Sequence, residues 1–293
     1  MAKITDEIKK GKILVSDGAW GTFLQQKGLQ VGECPEQWNI KHPGKVFEIA
    51  KSYIDAGADM IETNSFGGTR FKLGKYGLAD KVFEINKAAA EISRKAAGEK
   101  FVLGSVGPTG KILMMGDVTA DEMYEAFKEQ VKGLEAGGAD AIMIETMTDL
   151  EEARLAIQAA KENTGLEVFC TMTFEKTVDG EFRSMMGVSP ADMVNTIITA
   201  GAELIGANCG NGIANMVGIV EEIRTLNKHI PVLVHANAGM PEYRDGETVF
   251  PETPEEMAAL VPKILAAGAN VIGGCCGTTP EHIQKVREIV NNL

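Results

Sequence analysis

Three cysteines carry the first chemical signal in this 293-residue chain. Cys209 closes the segment AGAELIGANC, and Cys275 and Cys276 close AGANVIGGCC. Each segment reads as a helix stopping on glycine, followed by a buried apolar strand. Counted from Gly201 and Gly268, Cys209 and Cys276 occupy equivalent positions, so thiols distant in sequence are expected at the same height on similar strands. Three thiolates meeting at one point would bind a soft or borderline metal, zinc above all, and leave the fourth tetrahedral position open, as catalytic sites do. Neighbours in a strand face opposite ways, so Cys275 and Cys276 can share an ion only if the strand breaks there. Gly273, Gly274 and Gly277 supply the means for such a break. The competing reading makes Cys209 a small core residue and the pair incidental.

The same refrain occurs twice more, as AGADMIET (56–63) and AGGADAIMIET (136–146), ending on the acids Glu62 and Glu145. Asn208 directly precedes Cys209. The elements that must position these groups recur along the whole chain. Apolar runs predict strands near 13–16, 60–62, 101–104, 141–144, 168–173, 204–207, 232–235 and 271–273. Helices are expected near 44–56, 81–97, 119–136, 149–163, 190–200, 213–227, 254–267 and 280–291. Ser189-Pro190, Thr253-Pro254 and Thr279-Pro280 each set a capping hydroxyl before a proline at the first helical position. Thr119 with Glu122, and Thr253 with Glu256, match capping boxes. Eight strand–helix units without a linker predict an α/β chain, a single (β/α)8 TIM barrel spanning 1–293 as one domain. An open doubly wound sheet is the runner-up. In the barrel, Asp17, Glu62, Ser105, Glu145, Cys209, Asn237, Cys275 and Cys276 fall at the C-terminal mouth, where barrel active sites lie.

Bulk composition narrows the function classes. A formal net charge of −12 argues against nucleic acid or an anionic membrane as partner. No apolar run approaches the roughly 20 residues that span a bilayer, and the opening MAKITDEIKKGK lacks the apolar stretch of a secretory signal. A cytoplasmic protein is expected, and its five cysteines then read as buried thiols, nucleophiles or ligands rather than a disulfide framework. Cys170 is assigned to the barrel core and Cys34 to a loop. GSVGPTG (104–110) lacks the spacing and lysine of a phosphate loop.

The motifs DGAWGT (17–22), ETNSF (62–66), GSVGP (104–108), GANC (206–209), NAGMP (237–241) and GGCCGT (273–278) stand in one order along nearly the whole chain. With them the chain resembles the homocysteine S-methyltransferase family, most closely the homocysteine-binding module of cobalamin-dependent methionine synthases. The resemblance implies zinc held by Cys209, Cys275 and Cys276, with the homocysteine thiol in the fourth place and Asn237 there in its absence. It implies that Glu145 receives the substrate ammonium. Asp17 and the Gly18–Ala19 backbone suit the rest of the amino acid, and Asn208 joins the substrate-binding candidates. Taken alone, Glu145 also reads as half of a buried ion pair, and Asp17 as turn chemistry. Thr146 stands where betaine-type relatives carry tyrosine, and His235-Ala236-Asn237 departs from the more usual Pro-Asn. For His235 a hydrogen-bonded structural role is expected. Trp20 is expected near the mouth as a packing residue, or with Phe66 and Tyr76 as part of a cage for a sulfonium or ammonium group.

The chemistry such a site performs follows from thiol acidity. A thiol with a pKa near 8.5 is mostly protonated at neutral pH. Metal binding deprotonates it, and three protein thiolates keep the metal electron-rich. None of the four histidines has the aspartate two positions earlier that a corrinoid-binding signature requires, so a corrinoid would be carried on another protein or module; the likeness of the motif set to the methionine synthase module makes such a methyl-corrinoid the expected donor. S-methylmethionine or betaine is the alternative donor. A thiol-sensing zinc module without turnover, and an aldolase-like barrel using a Schiff-base lysine, are the rival classes; no lysine lies at the assigned strand ends.

Overall fold

In the computed structural model, which describes residues 3–244 and 246–293, every expected apolar run is a parallel strand of one sheet. The strands are β1 (Leu14–Val15), β2 (Met60–Glu62), β3 (Phe101–Val106), β4 (Ala141–Met147), β5 (Glu167–Met172), β6 (Leu204–Gly212), β7 (Val232–Asn237) and β8 (Val271–Gly274). Hydrogen-bonded neighbours run β1-β8-β7-β6-β5-β4-β3-β2. The seam between β1 and β2 is closed by Asp59 and Asp17. The Asp59 N–H donates to the Val15 carbonyl at 2.7 Å, and the Asp59 carboxylate accepts from the Val15 N–H at 3.0 Å. Asp17 accepts the Glu62 N–H at 2.8 Å. The result is a single, nearly closed (β/α)8 barrel.

The outer helices are α1 (Pro43–Asp55), α2 (Val82–Ala97), α3 (Ala120–Ala136), α4 (Leu150–Asn163), α5 (Pro190–Ala200) and α6 (Ile213–Leu226). A seventh, split pair follows as α7 (Pro254–Ala259) and α8 (Val261–Ala267), and α9 (Pro280–Asn291) ends the ring. The capping boxes at Thr119 and Thr253 form as expected, and Ser189 and Thr279 form two more with Asp192 and His282. Each cap is worth about 1 kcal/mol. The expected helix 254–267 breaks at Leu260, because Pro262 carries no N–H to continue the first helix's ladder. Two additions are illegible in the periodicity. Helix Ile4–Lys9 plugs the barrel's N-terminal end, where Glu167 accepts the Ile4 N–H at 2.7 Å. Short hairpins at Glu175–Arg183 and Glu242–Val249 extend the mouth.

Strand alternation sets the barrel interior in two storeys. Leu14, Met60, Leu103, Met143, Phe169, Leu204, Leu233 and Val271 form a solvent-free apolar plug. Two residues further along the same strands stand Ser16, Glu62, Ser105, Glu145, Thr171, Gly206, His235 and Gly273. That second storey contains no aliphatic side chain, and it is the floor of the mouth. Gly206 is needed there: a Cβ at this position would lie 1.9 Å from the Leu233 carbonyl oxygen.

Candidate metal and substrate site

β6 runs past its expected end, and the chain twists sharply at Cys209, whose φ of 58° lies in the left-handed region. β8 stops at Gly274, and Cys275 and Cys276 occupy a turn beyond it. The register aligns Asn208 with His235 and His235 with Gly273, so the cysteine pair lies above the ladder rather than level with Cys209 along it. The turn folds the pair back. Cys275 N–H donates to Ala236 O at 2.7 Å, and Cys276 O accepts from Ala238 N–H at 3.0 Å. The strand break anticipated from the glycines is what lets both thiols face one point.

All three sulfurs lie within 4.8 Å of one another, with 3.9 Å between those of Cys209 and Cys276. Zinc–sulfur bonds of about 2.3 Å in a tetrahedron separate sulfurs by about 3.8 Å. The donor set thus fits zinc. Hydrogen bonds from Cys275 and Cys276 hold the Cys209 thiol well below the ordinary range, while donating to Cys209 pushes the other two up. Asn237 lies against Cys209 as a donor, and its own Oδ1 is buried without a partner. That orphaned oxygen suits a ligand position. Cys170 is sealed in β5, and Cys34 is also buried, its thiol donating to Glu36 at 3.3 Å.

Thr278 clamps the two ends of the barrel together. Its hydroxyl accepts the Ala19 N–H at 3.0 Å and donates to Cys275 O at 2.7 Å. The Gly274 position admits no side chain because a Cβ there would sit 2.2 Å from this hydroxyl. The Ala19 N–H, expected to serve substrate, is therefore spent on Thr278. Asn208 is likewise committed within the wall. Its Oδ1 accepts from Thr146 N–H at 2.8 Å and Thr171 Oγ1 at 2.7 Å, and its Nδ2 donates to Thr146 Oγ1 at 2.7 Å. This amide pins Thr146 at φ 60°, an outlier for a β-branched residue.

A cavity of about 290 Å³ opens beside the thiols. Gly18, Ala19, Trp20, Glu62, Phe66, Ser105, Glu145, Thr146, His235, Cys209, Cys275 and Cys276 all line it. Asp17 sits just behind, accepting from Ser16 Oγ at 3.1 Å and Trp20 Nε1 at 2.8 Å. Ser105 Oγ donates to Glu145, and the Glu62 and Glu145 carboxyls adjoin. Tyr76 takes no part in the cavity wall, so the aromatic contribution there is Trp20 and Phe66. His235 departs from its expected role: its Nε2 is buried without a hydrogen bond, and its Nδ1 stands 3.5 Å from Glu62 Oε1. The motifs contain Thr278 and much of the floor without revealing their roles, and Ser16 and Thr171 lie outside them; a polar residue two places after each inward apolar one would have marked both.

Burial pushes Asp17 up to about 6 and Glu145 up to about 7, and drives Glu62 well above the carboxylate range with added repulsion from Glu145 and Asp17. These groups hold protons more tightly folded than unfolded. Their stabilising contribution is complete below about pH 4 and is lost as pH rises through 6 to 7. The metal-free protein should melt several degrees lower at pH 7.5 than at pH 5. Glu145→Gln should flatten that slope by at most roughly 3 kcal/mol. Thermal unfolding across this range decides it; an unchanged slope in the variant would refute the assignment.

The fold and the thiol cluster together define a thiol-handling (β/α)8 barrel. The sequence model of the homocysteine S-methyltransferase family matches residues 14–290. The chain belongs to this family of enzymes. It is 33% identical over 308 residues to methionine synthase of Mycobacterium tuberculosis, covering 98% of this chain and 25% of that protein. Against methionine synthase of Mycobacterium leprae the identity is 35% over 300 residues, covering 95% and 24%. The chain thus spans about a quarter of the length of these relatives. Among solved structures it is similar to the oxidized form of the homocysteine methyltransferase MmuM from Escherichia coli, with TM-score 0.77, 25% identity and coverage of 96% and 97%. The metallated form of that enzyme shares the fold at TM-score 0.79 and 23% identity, covering 97% and 98%.

Proposed function

We propose that this chain methylates the thiol of homocysteine to give methionine, at a zinc site made by Cys209, Cys275 and Cys276. The observation that carries the reading is the meeting of three thiols with a pair of buried carboxyls in one cavity. Zinc, when bound, supplies the deprotonation of an incoming thiol at neutral pH. The chain's own residues do the rest. Glu145, oriented by Ser105, receives the α-ammonium, and burial makes that charge-assisted contact strong. The Gly18 side of the first turn lines the cavity and suits the carboxylate. In the transfer the new sulfur–methyl bond forms as the donor–methyl bond breaks, and the thiol proton leaves to solvent.

For the donor, a methyl-corrinoid carried by another protein or module is the preferred reading. Its support is the similarity to methionine synthases several times this chain's length. A small onium donor has one observation in its favour, the placement of Trp20 and Phe66 along the cavity. A cytoplasmic location is proposed, with neither nucleic acid nor membrane as partner; no helix among the described residues is long and apolar enough to cross a bilayer. Zinc-loaded protein should be incubated with homocysteine and, separately, a methyl-corrinoid protein, methylcobalamin, S-methylmethionine and betaine. Methionine from the corrinoid donors alone is the expected result. Methylation of a different thiol would displace homocysteine, and binding without turnover by any donor would leave a thiol-sensing module instead.

A further inference from the structure

The cavity floor contains acceptors without donors. Glu62 Oε1 and His235 Nε2 are both buried and unpartnered, in a structure whose other polar floor groups are satisfied by neighbours such as Ser105 and Thr171. Unpaired buried polar atoms are costly, so each calls for an explanation. Among the described residues no lysine or arginine lines this cavity to neutralise the acids.

The position of the imidazole is built rather than incidental. His235 points inward from β7, between the two strands that lead to the thiols, and reaches Glu62 on β2. Gly273 clears its path: a Cβ there would lie 2.8 Å from His235 Cδ2 and equally close to Ser16 Cβ. His235 Nδ1 stands 3.5 Å from Glu62 Oε1, too far for a direct hydrogen bond but near enough to favour the proton on that nitrogen, which leaves Nε2 as a bare acceptor.

We propose that His235 and Glu62 form the inner wall of the ammonium subsite, taking N–H groups from the α-ammonium of the amino-acid thiol alongside Glu145. The inference rests on the thiol amino acid being the substrate. It adds a residue pair that selects for the amine rather than for the thiol. An ammonium brings three donors, and the floor offers two orphan acceptors beside the Glu145 carboxylate.

The test is binding by calorimetry to the full chain with its metal content measured, using homocysteine and its amine-free counterpart 4-mercaptobutanoate. His235→Phe should weaken homocysteine at least about tenfold and leave 4-mercaptobutanoate within about twofold, with metal unchanged. His235→Gln, which keeps an acceptor, should recover most of the loss. Glu62→Met, which removes the acceptor, should show the same selectivity and decides the matter if the phenylalanine variant does not fold. Equal losses for both ligands, or none, would overturn the assignment while leaving homocysteine as substrate. Failure of the unaltered protein to bind homocysteine at all would overturn the functional reading along with it.

Discussion

Cys209→Ser is expected to strip the protein of zinc and to reduce methionine formation by at least about 10³-fold, since an unactivated thiol is only a few per cent ionised at neutral pH and loses its positioning as well. Three thiolates within 4.8 Å are mutually repulsive without a cation, and a serine hydroxyl is a poor replacement ligand. Cys275→Ser and Cys276→Ser should behave alike. Cys34→Ala and Cys170→Ala, which alter buried thiols away from the cluster, should keep the metal. Metal analysis per chain beside product formation reads both effects. Stoichiometric zinc with normal turnover in Cys209→Ser would place the site elsewhere.

Asn208→Ala should cost about 2–4 kcal/mol, because it leaves the buried Thr171 hydroxyl and the half-buried Thr146 N–H and hydroxyl without their partner. A fall in melting temperature of roughly 5 °C corresponds to that loss in a chain of this size. The amide ties β4 and β5 to β6 just where Thr146 and Cys209 both take positive φ. Such backbone costs on the order of 1–3 kcal/mol per residue and persists only where surroundings impose it. Metal affinity should therefore drop together with stability. A variant that melts normally but binds homocysteine poorly would restore Asn208 to the direct substrate contacts first expected of it.

The strands and most helices are legible in the sequence because their causes are local. Apolar runs of strand length, glycine stops and hydroxyl-plus-proline starts act within a few residues, and Thr119, Ser189 and Thr253 cap where their types require. The thiol cluster is legible for a related reason: repeated segments bring both thiol-bearing ends to the mouth, and the glycines around Cys275 announce the turn that folds the pair back to Cys209. What escapes is set by contacts across the barrel. Nothing near His235 in sequence reveals that its ring lies by Glu62, and nothing near Ala19 reveals that its N–H is taken by Thr278. Helix Ile4–Lys9 is held by Glu167, equally remote, and too short to show a period.

The Thr278 clamp has a consequence for the chain during its synthesis. It joins residues 259 positions apart, so the first turn of the pocket emerges from the ribosome long before its partner exists. At about 5–20 residues per second the interval is roughly 13–50 s. In its last part, once residue 209 has been made, Cys209 waits without Cys275 and Cys276, and the acids of β2 and β4 face an unsealed ring. On the proposed reading, a nascent chain could not assemble the three-thiol site until Cys276 has been made. The site would thus assemble in one late step, and a product arrested before Cys275 would lack two of its three thiols.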